Sequence, residues 1–231
     1  MIAMLKKLII EDYKCVGAIS VGSTSITYLI YPELAQLNDD WLDKMCELHK
    51  ISIVVVYIPA NKWNDDLTPW PEPGEAPGCP PFAGKAKEFL STLLNQIIPG
   101  VEQKFELSSN LTRDLMGVSL GGLFTLWQWM GCEVFPNIAC LSGSFWYIGF
   151  LKWFESQPIP PKTGKAFFLL GEDEPHSHVK AFDSVGKNTE EIVEKLKNSG
   201  IKVDFKWVPG NHFSQPVHRA ELALNSLYNC D

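Results

Sequence analysis

The chain lacks any long hydrophobic run, any block of basic residues and any C-x-x-C pair. A membrane-spanning helix needs about 20 consecutive apolar residues. No segment reaches that length, and the start of the chain, soon followed by Glu11 and Asp12, is too short for a secretory signal. The formal net charge is −7, and without clustered lysine and arginine we expect no binding to nucleic acid phosphates. We therefore expect neither a membrane partner nor a nucleic acid partner.

Cysteine is present, but not in the close pairs that zinc sites use. The six cysteines are Cys15, Cys46, Cys79, Cys132, Cys140 and Cys230. His176 and His178 form an H-x-H pair, but no second group of ligands accompanies them, so no metal site is expected. Scattered cysteines fit reduced thiols in a cytoplasmic protein better than a disulfide framework.

Apolar residues are abundant enough for one substantial core. They make up 45% of the 231 residues, and we expect a single domain over residues 1–231. Strand-like runs alternate with helical patterns, which predicts an α/β fold with a mostly parallel, doubly wound sheet and helices on both faces. The predicted strands are 14–21, 25–31, 51–58, 115–118, 138–141, 166–170 and 201–208. The predicted helices are 39–49, 85–98, 121–130, 188–199 and 219–228.

Turn residues refine this prediction at three places. Gly22 and Ser23 separate the first two strands, which are expected to form a hairpin at the edge of the sheet. Pro99-Gly100 is expected to end the second helix. The proline-rich segment 59–84 is a long loop, and a loop of that length is usually either disordered or part of a site.

The pentapeptide Gly117-Val118-Ser119-Leu120-Gly121 lies between a strand pattern and a helical pattern. A tight strand-to-helix turn at this place would hold the Ser119 hydroxyl out of the backbone, and it needs glycine where side chains would clash. Such a serine becomes a nucleophile when a base and N–H donors for the oxyanion are close. The alternative is a serine that only caps the helix.

The other groups that this chemistry needs also come directly after predicted strands. They are the acidic run 172–174 and His212. Because the carboxyl ends of parallel strands meet at one edge of a sheet, we expect these groups to converge with Ser119. The chain order serine, acid, histidine is that of the α/β-hydrolase triad. We predict Ser119 as nucleophile, His212 as base and one of the three carboxylates as its partner.

Five stretches of the chain occur in the order seen in a family of esterases with the α/β-hydrolase fold. They are 65–70 (DDLTPW), 117–122 (GVSLGG), 141–146 (LSGSFW), 171–174 (GEDE) and 210–212 (GNH). From about residue 27 to residue 228 the chain resembles this family, which includes enterochelin, tributyrin-type and feruloyl esterases and S-formylglutathione hydrolase. The resemblance implies an α/β-hydrolase fold, with a reduced set of N-terminal edge strands because that part of the chain looks short.

The resemblance also implies roles for single residues. It places Ser119 as nucleophile, His212 as general base and Glu174 as the acid, with Asp173 as its rival. The N–H of Leu120, next after the nucleophile, is the expected first oxyanion donor.

A second oxyanion donor is expected from the loop that reads Tyr31-Pro32-Glu33-Leu34. Proline has no N–H, so this donor would come from Glu33 or Leu34.

These assignments predict a serine esterase that forms an acyl-enzyme on a small acyl, aromatic or siderophore-type ester and requires no cofactor. An acyltransferase with the same machinery and a non-catalytic binding protein are the alternatives. Four aromatic residues near the active edge are predicted to bind substrate, with plain core packing as the alternative. They are Trp63, Trp70, Phe145 and Trp146. Whether the chain acts alone or as a homodimer is left open.

Overall fold

An eight-stranded sheet forms the centre of the computed structural model, which describes residues 4–35, 37–108, 110–161 and 163–228. The strands are β1 (Met4–Ile10), β2 (Tyr13–Ile19), β3 (Ser25–Pro32), β4 (Ser52–Ile58), β5 (Pro71–Glu72), β6 (Phe82–Ala83), β7 (Thr112–Val118), β8 (Ile138–Leu141), β9 (Lys165–Gly171) and β10 (Lys202–Val208). The sheet order is β1-β2-β4-β3-β7-β8-β9-β10, and the short β5 and β6 pair separately. All neighbours in the large sheet are parallel except β2, which runs antiparallel to both β1 and β4.

Helices cover both faces of the sheet. They are α1 (Asp39–His49), α2 (Trp63–Asp66), α3 (Ala86–Thr92), α4 (Ile98–Phe105), α5 (Leu120–Trp129), α6 (Phe150–Ser156), α7 (Val185–Asn198) and α8 (Pro216–Tyr228). One core cluster packs α1 and α8 against one face, and a second packs α3, α4, α5, α6 and α7 against the other. The predicted α/β-hydrolase architecture is confirmed. Among the described residues, no helix has the length and apolar character needed to cross a bilayer.

The N-terminal edge differs from the prediction in two ways. The expected hairpin of the first two predicted strands is wrong, because β4 lies between β2 and β3 and pairs with both. Every residue of β4 is buried, so this strand needs a covered place inside the sheet. The edge also has one more strand than predicted, since the segment Met4–Ile10, which we did not predict as a strand, adds β1 beside β2.

The helical segment that begins at Ala86 continues through the predicted stop at Pro99-Gly100. A π-helical turn at Leu93–Ile97 follows α3, and α4 then runs to Phe105. Pro99 is the second residue of α4 and comes directly after the π-helical turn, so the proline changes the helical hydrogen-bond pattern here without ending the helix.

Among the described cysteines, Cys15, Cys46, Cys79 and Cys140 are free thiols. Cys230, which the sequence analysis also treated as reduced, lies outside the described residues.

Candidate active site

Ser119 occupies a sharp turn between the end of β7 and the start of α5. Its backbone has φ of 56° and ψ of −121°, a conformation that non-glycine residues rarely adopt. A Cβ on Gly117 would lie 2.1 Å from the carbonyl oxygen of Gly121, so the turn closes only with glycine at position 117. The Ser119 side chain makes no capping hydrogen bond to α5. The alternative of a helix-capping serine therefore does not describe this residue.

His212 connects Ser119 to Glu174. Its Nε2 lies 3.0 Å from Ser119 Oγ, and its Nδ1 lies 2.8 Å from Glu174 Oε2. Asp173, the rival acid, has an exposed side chain, and its backbone N–H donates to the carbonyl of Gly210. The structure thus brings together Ser119, His212 and Glu174, and it leaves Asp173 outside this chain of hydrogen bonds.

The second carboxylate oxygen of Glu174 is held by three donors. Oε1 accepts hydrogen bonds of 2.7 Å each from the Gly171 N–H, the Ser142 hydroxyl and the Arg219 guanidinium. Burial by itself raises the pKa of Glu174, but the hydrogen bonds and charges of His212, Ser142 and Arg219 outweigh it and leave the pKa below its ordinary value. The carboxylate form is therefore favoured in this buried position.

Arg219 is a member of the site that the sequence analysis missed. Its side chain is 3% exposed, although it comes from the first turns of α8. Besides Glu174 it donates to Ser142 Oγ and, over 2.6 Å, to the carbonyl of Asn211. It therefore ties the residue that precedes His212 to the acid that His212 contacts. The sequence feature that could have indicated this role is that Arg219 lies next to Ala220 and Leu224 on the buried side of a helix.

Ser144 is a second polar neighbour of Ser119. Its Oγ lies 3.3 Å from Ser119 Oγ, and its N–H donates to the carbonyl of Ser119 over 3.0 Å. The stretch 141–146 supported the family resemblance, but its contact with the turn at Ser119 depends on β8 lying beside β7.

The predicted oxyanion donors have different positions. Leu120 lines the cleft at Ser119 and opens α5, where the first amides of a helix have no intrahelical acceptor. Glu33 and Leu34 do not line this cleft; they line a neighbouring cavity. The Glu33 N–H donates to the Ile58 carbonyl over 3.1 Å, because the pairing of β3 with β4 continues past Pro32. The assignment of Glu33 is therefore corrected, and the N–H of Leu34 stays a prediction.

A cleft of about 570 Å³ opens over Ser119 and His212. Of the four aromatic residues predicted to bind substrate, Trp63 and Trp146 line it. Three further aromatic side chains, which were not in the predicted set, also line it. They are Phe82, Phe182 and Phe213, the last of which is 86% exposed.

The prediction is wrong for Phe145 and Trp70, which pack away from the cleft. Phe145 is 1% exposed and stacks on Phe150 with ring centroids 5.7 Å apart. The Trp70 ring packs beside Tyr147 at 5.8 Å, and its indole N–H donates to the Ile148 carbonyl. Both side chains therefore take part in contacts between aromatic rings and do not line the cleft.

His176 and His178 also line the cleft. Within the described ranges, no group of three or more His, Cys, Asp or Glu side chains is placed to hold a metal ion.

Comparison with known proteins gives one family and one curated relative. A family model described as "Putative esterase" matches residues 37–223. The curated relative is "Uncharacterized protein YbbA" of Bacillus subtilis (strain 168), which is 27% identical over 154 residues. That match covers 66% of this chain and 62% of the relative's length, so somewhat more than a third of the relative lies outside it.

Solved structures share the fold over nearly the whole chain. An IroE-like serine hydrolase from Shewanella oneidensis has a TM-score of 0.77 at 18% identity, covering 99% of this chain and 82% of that one. Siderophore hydrolase EstA from Aspergillus nidulans has a TM-score of 0.73 at 19% identity, covering 98% and 94%. The BES protein from Bacillus cereus has a TM-score of 0.69 at 18% identity, covering 100% and 97%. At these identities the likeness shows the fold.

Proposed function

Because this chain belongs to the esterase family whose model spans most of its length, we propose that it is a serine hydrolase of carboxylic esters. The observation that carries the proposal is the unbroken chain of hydrogen bonds from Ser119 Oγ through His212 to Glu174. Each of the three groups comes from a different loop. If Ser119 only capped a helix, or if His212 and Glu174 were only surface loop residues, there would be no reason for the three side chains to meet.

The proposed reaction begins with attack of Ser119 Oγ on the ester carbonyl carbon. His212 Nε2 accepts the hydroxyl proton as the new C–O bond forms, and Glu174 holds the imidazole by its Nδ1–H and stabilises the imidazolium. The N–H of Leu120 stabilises the oxyanion. His212 then returns the proton to the departing alcohol, and the C–O bond to the alcohol breaks to leave the acyl-enzyme.

Hydrolysis of the acyl-enzyme repeats these steps with water. His212 removes a proton from the water molecule as it attacks the acyl carbon, and Ser119 leaves as the protonated hydroxyl. The buried Glu174 carboxylate keeps one orientation in both halves because Gly171, Ser142 and Arg219 hold its other oxygen.

The cleft supports a substrate with apolar or aromatic parts. Its volume of about 570 Å³ is within the usual range for small-molecule sites. Its walls are rich in aromatic side chains, as is common at such sites. Two proteins of similar fold are named an IroE-like serine hydrolase and a siderophore hydrolase, which supports small acyl, aromatic or siderophore-type esters as candidates.

The deciding experiment compares wild type with Ser119→Ala on p-nitrophenyl acetate and butyrate. We expect the variant to lose on the order of 10⁴ or more in turnover, because no other group supplies the acyl-accepting oxygen. Ser156→Ala, which removes an exposed serine of α6, is the matched control and should keep wild-type rates. Equal background rates for wild type and Ser119→Ala would refute the esterase and leave a binding protein on the same fold.

The same assay separates hydrolysis from acyl transfer. Both activities share the acyl-enzyme and differ only in whether water or another alcohol attacks it. Adding methanol or glycerol and measuring the ester products shows how the acyl group divides between the acceptors. An ester product that dominates at low acceptor concentration would assign the protein as an acyltransferase.

A further inference from the structure

A second cavity lies beside the active cleft, at the ends of β3 and β4. Its volume is about 380 Å³, which is also within the range of small-molecule sites. We call it the side cavity; its walls include Glu33, Leu34, Ile58, Ala60, Pro80 and Pro81. The proposed reaction makes no use of it.

The side cavity and the active cleft share two wall residues, Trp63 and Asn64. These open the short helix α2 and form a ridge between the two spaces. The Thr68 hydroxyl holds the backbone of the ridge by donating to the Asn64 carbonyl over 2.7 Å, and the Asn64 side-chain amide makes a long hydrogen bond of 3.5 Å to the Pro80 carbonyl. The two spaces are therefore neighbours across a single ridge.

The chemistry of the side cavity favours an apolar or aromatic group. Leu34, which is 85% exposed, and the buried Ile58 bring aliphatic surface to its wall, as do Pro80 and Pro81. Its charged wall residues are Glu33 and Asp65, and Asp65 is paired with Lys85 over 3.0 Å. An apolar group that enters this space would remove apolar wall from water.

We propose that the side cavity is a second binding subsite for esters that are bulky on both sides of the reacting carbonyl. Such an ester lies across the ridge of Trp63 and Asn64. Its carbonyl is at Ser119, one part occupies the active cleft, and an apolar or aromatic arm occupies the side cavity. The inference rests on the proposed esterase activity and adds the shape of its substrate class.

The test fills the side cavity from its outer wall and compares two esters. p-Nitrophenyl acetate has a bulky group on one side of the carbonyl, whereas p-nitrophenyl phenylbutanoate has one on each side. In Ala60→Phe the ratio of kcat/KM for the phenylbutanoate to that for the acetate should fall about tenfold, because the arm loses its apolar contact. Ala35→Phe makes the same change at an exposed position that lines neither space, and it should leave the ratio unchanged.

Asn61→Phe supplies a second filling variant, so the result does not depend on one substitution. Ala60 and Asn61 are both exposed, and neither replacement enters the core. An unchanged ratio in a folded Ala60→Phe or Asn61→Phe protein, checked by its thermal unfolding midpoint, would overturn the subsite while leaving the esterase intact. Absence of Ser119-dependent hydrolysis of the acetate would instead refute the proposed function itself.

Discussion

Glu174 is a buried carboxylate that four hydrogen bonds hold in place. One oxygen contacts His212, and the other receives three donors from three separate parts of the chain. These four hydrogen bonds to its two oxygens hold the carboxylate in one orientation toward the imidazole. The adjacent Asp173 has an exposed side chain and carries the same charge without this constraint. The two residues therefore offer a matched comparison.

Replacing Glu174 by Gln should lower kcat for p-nitrophenyl butyrate on the order of 10²–10⁴. Three donors favour the amide oxygen at the Oε1 position, so the NH2 group faces Nδ1, where it donates instead of accepting, and the neutral amide does not stabilise the imidazolium as the carboxylate does. Asp173→Asn removes an equal charge one residue away and should stay within about threefold of wild type. A larger loss in Asp173→Asn than in Glu174→Gln would exchange their roles. If neither variant loses activity, a Ser119–His212 pair suffices.

Arg219 should control how stability depends on acid pH. The folded-state pKa of Glu174 is lowered from 4.5, so its ionised form stabilises the fold above that pH. The stabilisation is lost as pH falls through the folded-state pKa. Arg219→Met removes one cause of the lowering, so less stability should be lost on acidification, and the loss should be complete at a higher pH than in wild type. Urea unfolding between about pH 7 and pH 3 measures this; curves that differ only by a constant offset would contradict it.

At the scale of elements, the site residues follow the carboxyl ends of four neighbouring strands of the sheet. Ser119 follows β7, Ser142 follows β8, Glu174 follows β9 and His212 follows β10. Their parallel pairing places all four carboxyl ends at one edge. The loops can therefore be short, and the distances between their side chains depend on strand spacing more than on loop conformation.

The turn between β7 and α5 should tolerate no side chain at Gly117. In Gly117→Ala the new Cβ would lie 2.1 Å from the Gly121 oxygen and 2.6 Å from the Thr125 hydroxyl, so β7 and α5 must move apart. We expect a loss of about 1–3 kcal/mol or more in the free energy of unfolding, together with lower activity because Ser119 moves. Gly131→Ala, where a Cβ meets nothing within 4 Å, is the control and should change stability little. Equal urea midpoints for the two variants would contradict the packing argument.

At the scale of the whole molecule the net charge is negative, and the residues that line the cleft also carry more negative than positive charge. The net charge is −7. Among the described residues that line the cleft, none is lysine or arginine, whereas Glu75 and Asp173 contribute carboxylates. Arg219 lies behind Glu174 and is paired with it. The field at the cleft should therefore oppose anionic esters.

We expect the p-nitrophenyl monoester of succinic acid to have a lower kcat/KM than neutral p-nitrophenyl pentanoate, by about threefold or more at low salt. The assay is run at pH 8, where exposed imidazoles ordinarily carry little charge. Added salt should narrow the gap. Asp173→Asn should narrow it more than Glu172→Gln, which removes the same charge outside the cleft lining. A preference for the anionic ester would mean that the field at the cleft is not negative.

The sequence by itself determined the features that depend on neighbouring residues. Strand and helix periods predicted α1 with its observed bounds, and the glycines around Ser119 predicted the sharp turn. Placing Ser119, an acid and His212 after separate parallel strands predicted their convergence, because the carboxyl ends of such strands meet at one edge.

Only the tertiary structure decided which side chains face the site. Arg219 reaches Ser142 and Glu174 from 77 and 45 residues away, and no local pattern carries that information. Composition likewise cannot tell that Phe145 stacks in the core whereas Trp63 lines both cavities, since both are aromatic residues in loop-like sequence. The pairing of β2 with β4 was equally hidden, because a strand's neighbour depends on which surfaces of the whole sheet must be buried.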